Sequence, residues 1–183
     1  MPNRVAIFID AAYFLNVLKE QFAGAKVDYL ALSRKLAADS EILRTYYYDC
    51  PVYQSNPPTE DERRRYSAQR KFFDALERLP RYAVRLGRLA RRGPDSTGTY
   101  RFEQKRVDIL LGVDLVLLAA KQTIQEAIIV AGDSDFIPAI SAAKGEGVLI
   151  RLYHGNTFHS DLWQEADERV PISQEFIDSV LMS

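Results

Sequence analysis

The chain has 183 residues, 47% hydrophobic and 27% charged, which suits one domain with a sizeable core and leaves no room for a second full domain. The lone Cys50 excludes an intramolecular disulfide, and no basic-plus-apolar leader precedes the first strand, so a reducing, cytoplasmic setting is expected. The net charge of -1 hides an asymmetry: residues 62–106 hold 14 Lys or Arg against 5 Asp or Glu, an excess of +9, while the rest holds 10 basic and 20 acidic residues, or -10.

The run Arg4 to Ile9, RVAIFI, is almost continuously apolar and β-branched, the pattern of a strand buried on both faces of a parallel sheet. From Ala12 to Phe22, Phe14, Leu15, Leu18 and Phe22 recur at helical spacing, and Gly24 supplies a stop. Asp28 is placed to cap a second helix, Tyr29 to Ala38, by accepting hydrogen bonds from first-turn amides. Ile42 to Asp49, ILRTYYYD, is rich in β-branched and aromatic residues and predicts the second strand. Beyond Asn56, Pro57 and Pro58, Thr59 and Glu62 stand at capping-box spacing and open a long helix to about Leu79. Tyr82 to Leu89 is expected as one strand, Arg91 to Thr99 as a polar loop, and Tyr100 to Glu103 as a short return strand. Arg106 to Gln122 carries Val107, Leu110, Leu111, Leu115 and Leu118 at helical spacing, with Gly112 and Ala120 small enough for close packing. Its apolar part is too short to span a bilayer and is interrupted by Asp114, so no membrane partner is expected.

Ala127 to Ala131 and Val148 to Tyr153 read as further buried strands around a helix from Phe136 to Lys144, ended by Gly145. One or two short helices, Leu162 to Ala166 and Gln174 to Met182, are expected in the tail. Alternating strands and helices specify an α/β fold with a mainly parallel central sheet covered on both faces. Sheets of this kind bind ligands beyond the carboxyl ends of their strands, where strand order reverses.

Acids stand at two of those ends. Asp10 follows the first strand, and Asp133 and Asp135 follow another in the run AGDSDF. If the two strands are neighbours, about 4.8 Å apart, Asp10 and Asp133 converge on one crevice, where their like charges demand a cation. With oxygen donors, no cysteine cluster and only His154 and His159 in the chain, Mg²⁺ or Mn²⁺ is expected rather than zinc or copper. Each aspartate also has a plain structural reading, Asp10 as cap of the following helix and Asp133 and Asp135 as caps of the helix at Phe136. Acids at two buried strand ends together favour a site. Asp108 suits a helix start through the macrodipole, yet a helix start is also where the chain re-enters the strand-end crevice. Asp114, six residues on, points about 120° away and lies between Val113 and Leu115, where a carboxylate needs a partner or a metal.

The segments AIFIDAAY at Ala6 to Tyr13, KRVDILLGVDLVLLAA at Lys105 to Ala120 and VAGDSDF at Val130 to Phe136 resemble, in order and spacing, the NYN domain family of PIN-like nucleases. The resemblance implies a PIN-like three-layer α/β/α sandwich and an acidic site that binds Mg²⁺ or Mn²⁺ and hydrolyses phosphodiester bonds, usually of RNA. Carried over motif by motif, it implies Asp10, Asp108, Asp133 and Asp135 as catalytic and metal-binding acids, and Asp114 as a further metal ligand. The chain departs from the family pattern at Ala11, where Gly is frequent, at Tyr13, where Asn is usual, and at Ala131, where Ser is frequent. Asn16 lies one helical turn beyond Tyr13, where it reads as an ordinary helix residue before it reads as a substitute for that Asn.

A site of this type needs no protein nucleophile, which agrees with the lack of a Ser-His-Asp or Cys-His arrangement. Cys50 is expected in the core, and His154 and His159 in exposed loops. Within a single domain spanning residues 1–183, a basic helix-loop insert at about 57–106 offers Arg63, Arg64, Arg65, Arg70, Lys71, Arg88, Arg91, Arg92, Lys105 and Arg106 to a phosphate backbone. Tyr66, Phe72, Tyr100 and Phe102 are interleaved with them and suit stacking on unpaired RNA bases, although Phe72 and Phe73 also fit a core position. Two other classes of function stay open: a noncatalytic RNA-binding or protein-interaction module, and a small-molecule phosphohydrolase. The tail after Val148 can cover the sheet or serve a homodimer interface.

Overall fold

The computed structural model describes residues 3–94, 98 and 100–182, with the backbone alone described at 90–92, 94 and 100–105. In chain order the elements are β1 (Arg4–Asp10), α1 (Ala11–Gln21), α2 (Tyr29–Ala37), β2 (Glu41–Asp49), α3 (Glu60–Glu77), β3 (Tyr82–Leu86), β4 (Arg88–Pro94), β5 (Tyr100–Lys105) and α4 (Val107–Ala120). They continue with β6 (Glu126–Val130), a 3-10 turn (Ser134–Phe136), α5 (Ile137–Gly145), β7 (Leu149–His154), α6 (Ser160–Glu165), β8 (Glu168–Pro171) and α7 (Gln174–Asp178).

Six strands form one sheet in the order β3-β2-β1-β6-β7-β8, every neighbouring pair parallel. The central strands are apolar on both faces because both faces are covered. In β1, Val5, Ile7 and Ile9 pack against α1, α2, α3 and α7, while Ala6 and Phe8 pack against α4, α5 and α6. The result is the parallel sheet covered on both faces that the alternation of elements specifies, and the three-layer α/β/α sandwich that the resemblance implies. From β1 the chain steps outward through β2 to β3; β6, β7 and β8 then extend the other way, so strand order reverses between β1 and β6.

Local signals act as expected at the helix starts. Asp28 Oδ1 accepts from the Leu30 and Ala31 amides at 2.8 and 3.0 Å, and Thr59 and Glu62 close the capping box of α3. Cys50 is buried, as are Phe73 and, in part, Phe72, whose ring meets Tyr29 and Tyr47. Among the described residues, no helix is long and apolar enough to cross a membrane.

Three expectations are corrected. Tyr82 to Leu89 is not one strand: it divides at Gly87, whose amide bonds the Asp49 carbonyl at 2.8 Å, and the chain beyond leaves the sheet. It pairs instead with β5 in an antiparallel ribbon, so Arg91 to Pro94 is strand rather than loop. Residues 57–106 are therefore a helix, an edge strand of the central sheet and a ribbon, not a helix and a loop. In the tail, Glu168 to Pro171 forms β8, a short charged edge strand of the kind that hydrophobic patterning cannot reveal.

Candidate functional site

β1 and β6 run side by side with Ile9 opposite Val130. Asp10 and the Gly132–Asp133 turn therefore leave the sheet together where strand order reverses. The pleat turns Ala6, Phe8, Ala127, Ile129 and Ala131 toward α4, and a period of two carries the same direction on to Asp10 and Asp133. The chain arrives at α4 from β5 through Arg106, held in the left-handed region at φ 75°, and this turn sets Asp108 in the first helical turn. Burial above all pushes the Asp10 carboxyl up to about 6, with Asp108 and Asp133 adding to the rise and the Tyr13 and Ala12 amides opposing it. Asp108 is raised too, by burial and then by Asp133 and Asp135. Four carboxylates from three separate segments thus share one field.

The capping roles of two of these acids hold as well. Asp10 Oδ1 accepts from the Tyr13 amide at 3.3 Å, and Asp133 Oδ1 accepts from the Asp135 amide at 3.1 Å. Asp114 stands apart. Its Oδ2 accepts from the Tyr48 hydroxyl at 3.0 Å and from Arg85 Nε at 3.1 Å, and Arg85 in turn lies over the Tyr46 ring. The partner that a carboxylate in this apolar stretch needs is protein, and the structure does not bring Asp114 to the other four acids.

As a donor set, the four acids fit a hard divalent cation: all are oxygen ligands, and their mutual repulsion is what a cation offsets. Among the described residues, no three His, Cys, Asp or Glu side chains stand close enough to hold an ion as a finished cage. Mg²⁺ ordinarily keeps several waters and takes one or two carboxylates plus substrate oxygens, a demand that an open set led by Asp10 and Asp133 can meet.

Tyr13, at the position where the family pattern has Asn, does something an Asn side chain is too short to do. Its hydroxyl donates to the Thr157 carbonyl at 2.8 Å and accepts from the Gly155 amide at 3.0 Å, pinning the loop after β7. Its ring lies on Gly132, where an added Cβ would stand 2.2 Å from Tyr13 Cε2. The His159 amide bonds the Gly132 carbonyl from the other side at 2.9 Å. Tyr13 is thus a brace for the turn that carries Asp133. Asn16 does not join the acids; it opens onto a cavity on the other side of α1.

His154 corrects the expectation of an exposed loop residue: it ends β7 buried, its Nδ1 2.9 Å from the Gly155 carbonyl and its ring against Phe158. His159 is exposed. Asp49 is an acid that the sequence motifs do not single out. It ends β2 as Asp10 ends β1, so the same strand-end rule, applied to ILRTYYYD, finds it. It is 9% exposed, and burial pushes it up to about 6 against the opposing Cys50 amide.

Of the basic residues, Arg63, Lys71, Arg88 and Arg106 are exposed. Arg64 meets Asp61 at 2.8 Å and Arg70 meets Asp74 at 3.4 Å, exposed pairs that hold these side chains only weakly. Arg63, Arg64 and Arg65 start α3, which leaves the same sheet edge as the acids, Arg88 follows the end of β3, and Arg106 precedes Asp108. Arg70 and Lys71 lie about 10 Å further along the helix. The side chains of Arg91, Arg92 and Lys105, and the rings of Tyr100 and Phe102, lie outside the described residues.

The raised carboxyls of Asp10 and Asp49 imply an unusual pH dependence. A folded pKa above the unfolded value means that the folded state holds the proton more tightly, so each ionised group costs stability above pH 6 and that cost is relieved as pH falls from about 6 to 4. In metal-free protein, urea denaturation at pH 5.5 should give a higher unfolding free energy than at pH 7.5; a lower value at pH 5.5 would show that these groups are not buried as carboxylates.

Comparison with known proteins places the fold. The NYN domain profile matches residues 4–173. No curated protein matches the chain. Among solved structures, the crystal structure of a protein of unknown function from Vibrio parahaemolyticus is similar, with a TM-score of 0.68 and 19% identity over 99% of this chain and 97% of that one. At that identity the likeness shows the fold alone.

Proposed function

Because the chain belongs to the NYN domain family, a family of PIN-like nuclease folds, we infer that it is a metal-dependent ribonuclease whose cleavage site is the acidic edge at Asp10, Asp108, Asp133 and Asp135. The observation that carries this reading is the placement of Asp10 and the Asp133 turn side by side at the ends of β1 and β6, where strand order reverses; burial and neighbouring carboxylates raise the Asp10 carboxyl there. A fold gains no stability from gathering like charges there, and strongly perturbed carboxyls in a crevice mark functional sites.

Asp10, at the end of β1, and Asp133, in the turn after the adjacent β6, are the residues that would hold Mg²⁺ or Mn²⁺, which would supply Lewis-acid activation of water and neutralise charge on the phosphate. Asp108 has a raised proton affinity and is suited to accept the proton of the attacking water. Asp135, exposed beside Asp133, orients that water. Tyr13 keeps the Asp133 turn in place.

The substrate is single-stranded RNA, its backbone met by Arg63, Arg64, Arg65, Arg88 and Arg106 around the acidic centre. Arg88→Gln combined with Arg106→Gln should weaken RNA binding uniformly across sequences and reduce the slope of log affinity against log salt by roughly 0.7 for each phosphate no longer neutralised. An unchanged slope in a filter-binding titration would remove these two residues from the interface.

Purified protein incubated with labelled single-stranded RNA, a DNA duplex and a chromogenic phosphate ester, each with Mn²⁺ or with EDTA, tests the reading. RNA should be cleaved with Mn²⁺ and stay intact with EDTA, and the ester should be turned over poorly. Faster turnover of the ester reassigns the site to phosphomonoesters. RNA binding without cleavage under any divalent metal makes the domain a binding module.

A further inference from the structure

The cavity onto which Asn16 opens, of about 830 Å³, lies at the same edge on the opposite face of β1 and β2 from the acids. Asp10 pairs with Tyr48 across these strands, and the pleat turns the next residue, Asp49, away from the acids toward α1 and α3. Asp49, Asn16 and Arg65 bring polar groups to the cavity, while Leu15, Leu89 and Pro51 supply apolar wall. The size and the few convergent polar groups are those of a small-ligand site.

The wall is built before any ligand arrives. Gln69 clamps the segment after β2, its Oε1 accepting from the Val52 amide at 2.8 Å and its Nε2 donating to the Cys50 carbonyl at 3.0 Å. Glu62 holds Ser55 from the same helix at 2.5 Å. Asp49 Oδ1 accepts from the Cys50 amide at 2.7 Å, and its other oxygen has no partner among the described residues. The residue is 9% exposed, and what remains open of it faces the cavity, where a ligand carrying N–H donors can reach the carboxylate. Asn16 and Arg65 are exposed and offer donors from the cavity rim.

We propose that this cavity is a base pocket that takes a guanine of the RNA strand cleaved at the acidic edge. Of the four RNA bases, only guanine sets two adjacent donors, N1–H and the N2 amino group, beside a carbonyl, O6. The two donors match the Asp49 carboxylate, and O6 matches the Asn16 amide. Cytosine and adenine set a ring acceptor beside their amino group, which a carboxylate repels, and uracil has a single donor between two carbonyls. Arg65 is placed for the ribose-phosphate that follows. The cavity lies next to the acids because Ala12, which lines it, belongs to the first turn of the helix that Asp10 caps. The proposal rests on the nuclease reading for the identity of the strand, but the pocket is testable without turnover.

Calorimetric titration of 5′-GMP, AMP, CMP and UMP, in EDTA so that no metal bridges a phosphate, measures the pocket alone. Wild-type protein should bind GMP about tenfold more tightly than UMP, a modest value for one bidentate contact. Asp49→Asn should bring GMP to the level of UMP, and Asn16→Ala, on the helix surface where it does not threaten folding, should weaken GMP several-fold and leave UMP unchanged. Asp10→Asn should bind GMP as the wild type does, so loss of cleavage and loss of the pocket are separable. Equal binding of the four nucleotides, no binding at millimolar concentration, or a guanine preference that survives Asn16→Ala and Asp49→Asn would overturn the proposal.

Discussion

Asp10→Asn is expected to lower RNA cleavage by about a thousandfold while making the metal-free protein more stable. The loss follows from removing a carboxylate that would hold the catalytic cation, a contribution of several kcal/mol at roughly 1.4 kcal/mol per tenfold in rate. The gain follows from the raised carboxyl: an ionised Asp10, pushed up to about 6 by burial, costs the folded state up to about 3 kcal/mol at pH 7.5, since each tenfold rise in proton affinity corresponds to about 1.4 kcal/mol. Asn is as good a helix cap as Asp, so the bond from the Tyr13 amide is kept and only the charge is removed. Urea denaturation in EDTA at pH 7.5, beside kcat/KM on labelled RNA, separates the roles. If Asp10 were a cap with no part in the reaction, cleavage would stay at the wild-type value.

Gly132→Ala is expected to cost about 3 kcal/mol of stability and about a hundredfold in cleavage. The new methyl would stand 2.2 Å from Tyr13 Cε2 and 2.7 Å from Cδ2, and the ring cannot swing aside without breaking the bonds its hydroxyl makes to Gly155 and Thr157. Overpacking of this kind costs about 1 to 3 kcal/mol, and two hydrogen bonds add about 1 kcal/mol each. Because Asp133 is the next residue, a displacement of about 1 Å at the turn suffices for the catalytic loss. Tyr13→Ala removes the obstruction, so the double variant should be markedly more stable than the sum of the single losses implies. Strict additivity in urea denaturation would show that the ring and the glycine do not brace each other.

The contrast between Asp10 and Asp114 shows how much of the site is legible in the chain. Strand-end position is a backbone property, and the buried pattern of RVAIFI and AIIV fixes where those ends fall, so Asp10 and Asp133 can be placed from the sequence. Asp114 cannot. Its neighbours Val113 and Leu115 show only that it needs a partner, and the partners, Tyr48 and Arg85, come from strands far away in sequence. Tyr13 is legible as a departure from the family pattern but not as a brace, because its contacts lie in the loop at Gly155 to Thr157.

The fold follows the same division. Capping at Asp28 and Thr59 is local chemistry and is readable. The break at Gly87 is not, because the apolar alternation of YAVRLGRL runs straight through it, and only pairing with β5 draws the second half out of the sheet. β8 escapes because edge strands are short and charged. Asp49 goes unmarked although its signal is present, a second acid at a strand end whose side chain faces the opposite layer.

The most direct measurement of the acidic edge is Mn²⁺ binding followed by electron paramagnetic resonance in wild-type, Asp10→Asn, Asp133→Asn and Asp114→Asn proteins. The expected result is saturable binding to the wild type that is abolished in Asp10→Asn and Asp133→Asn and kept in Asp114→Asn. Binding that is undiminished in Asp10→Asn, or abolished only in Asp114→Asn, would contradict a metal centre at the β1–β6 edge.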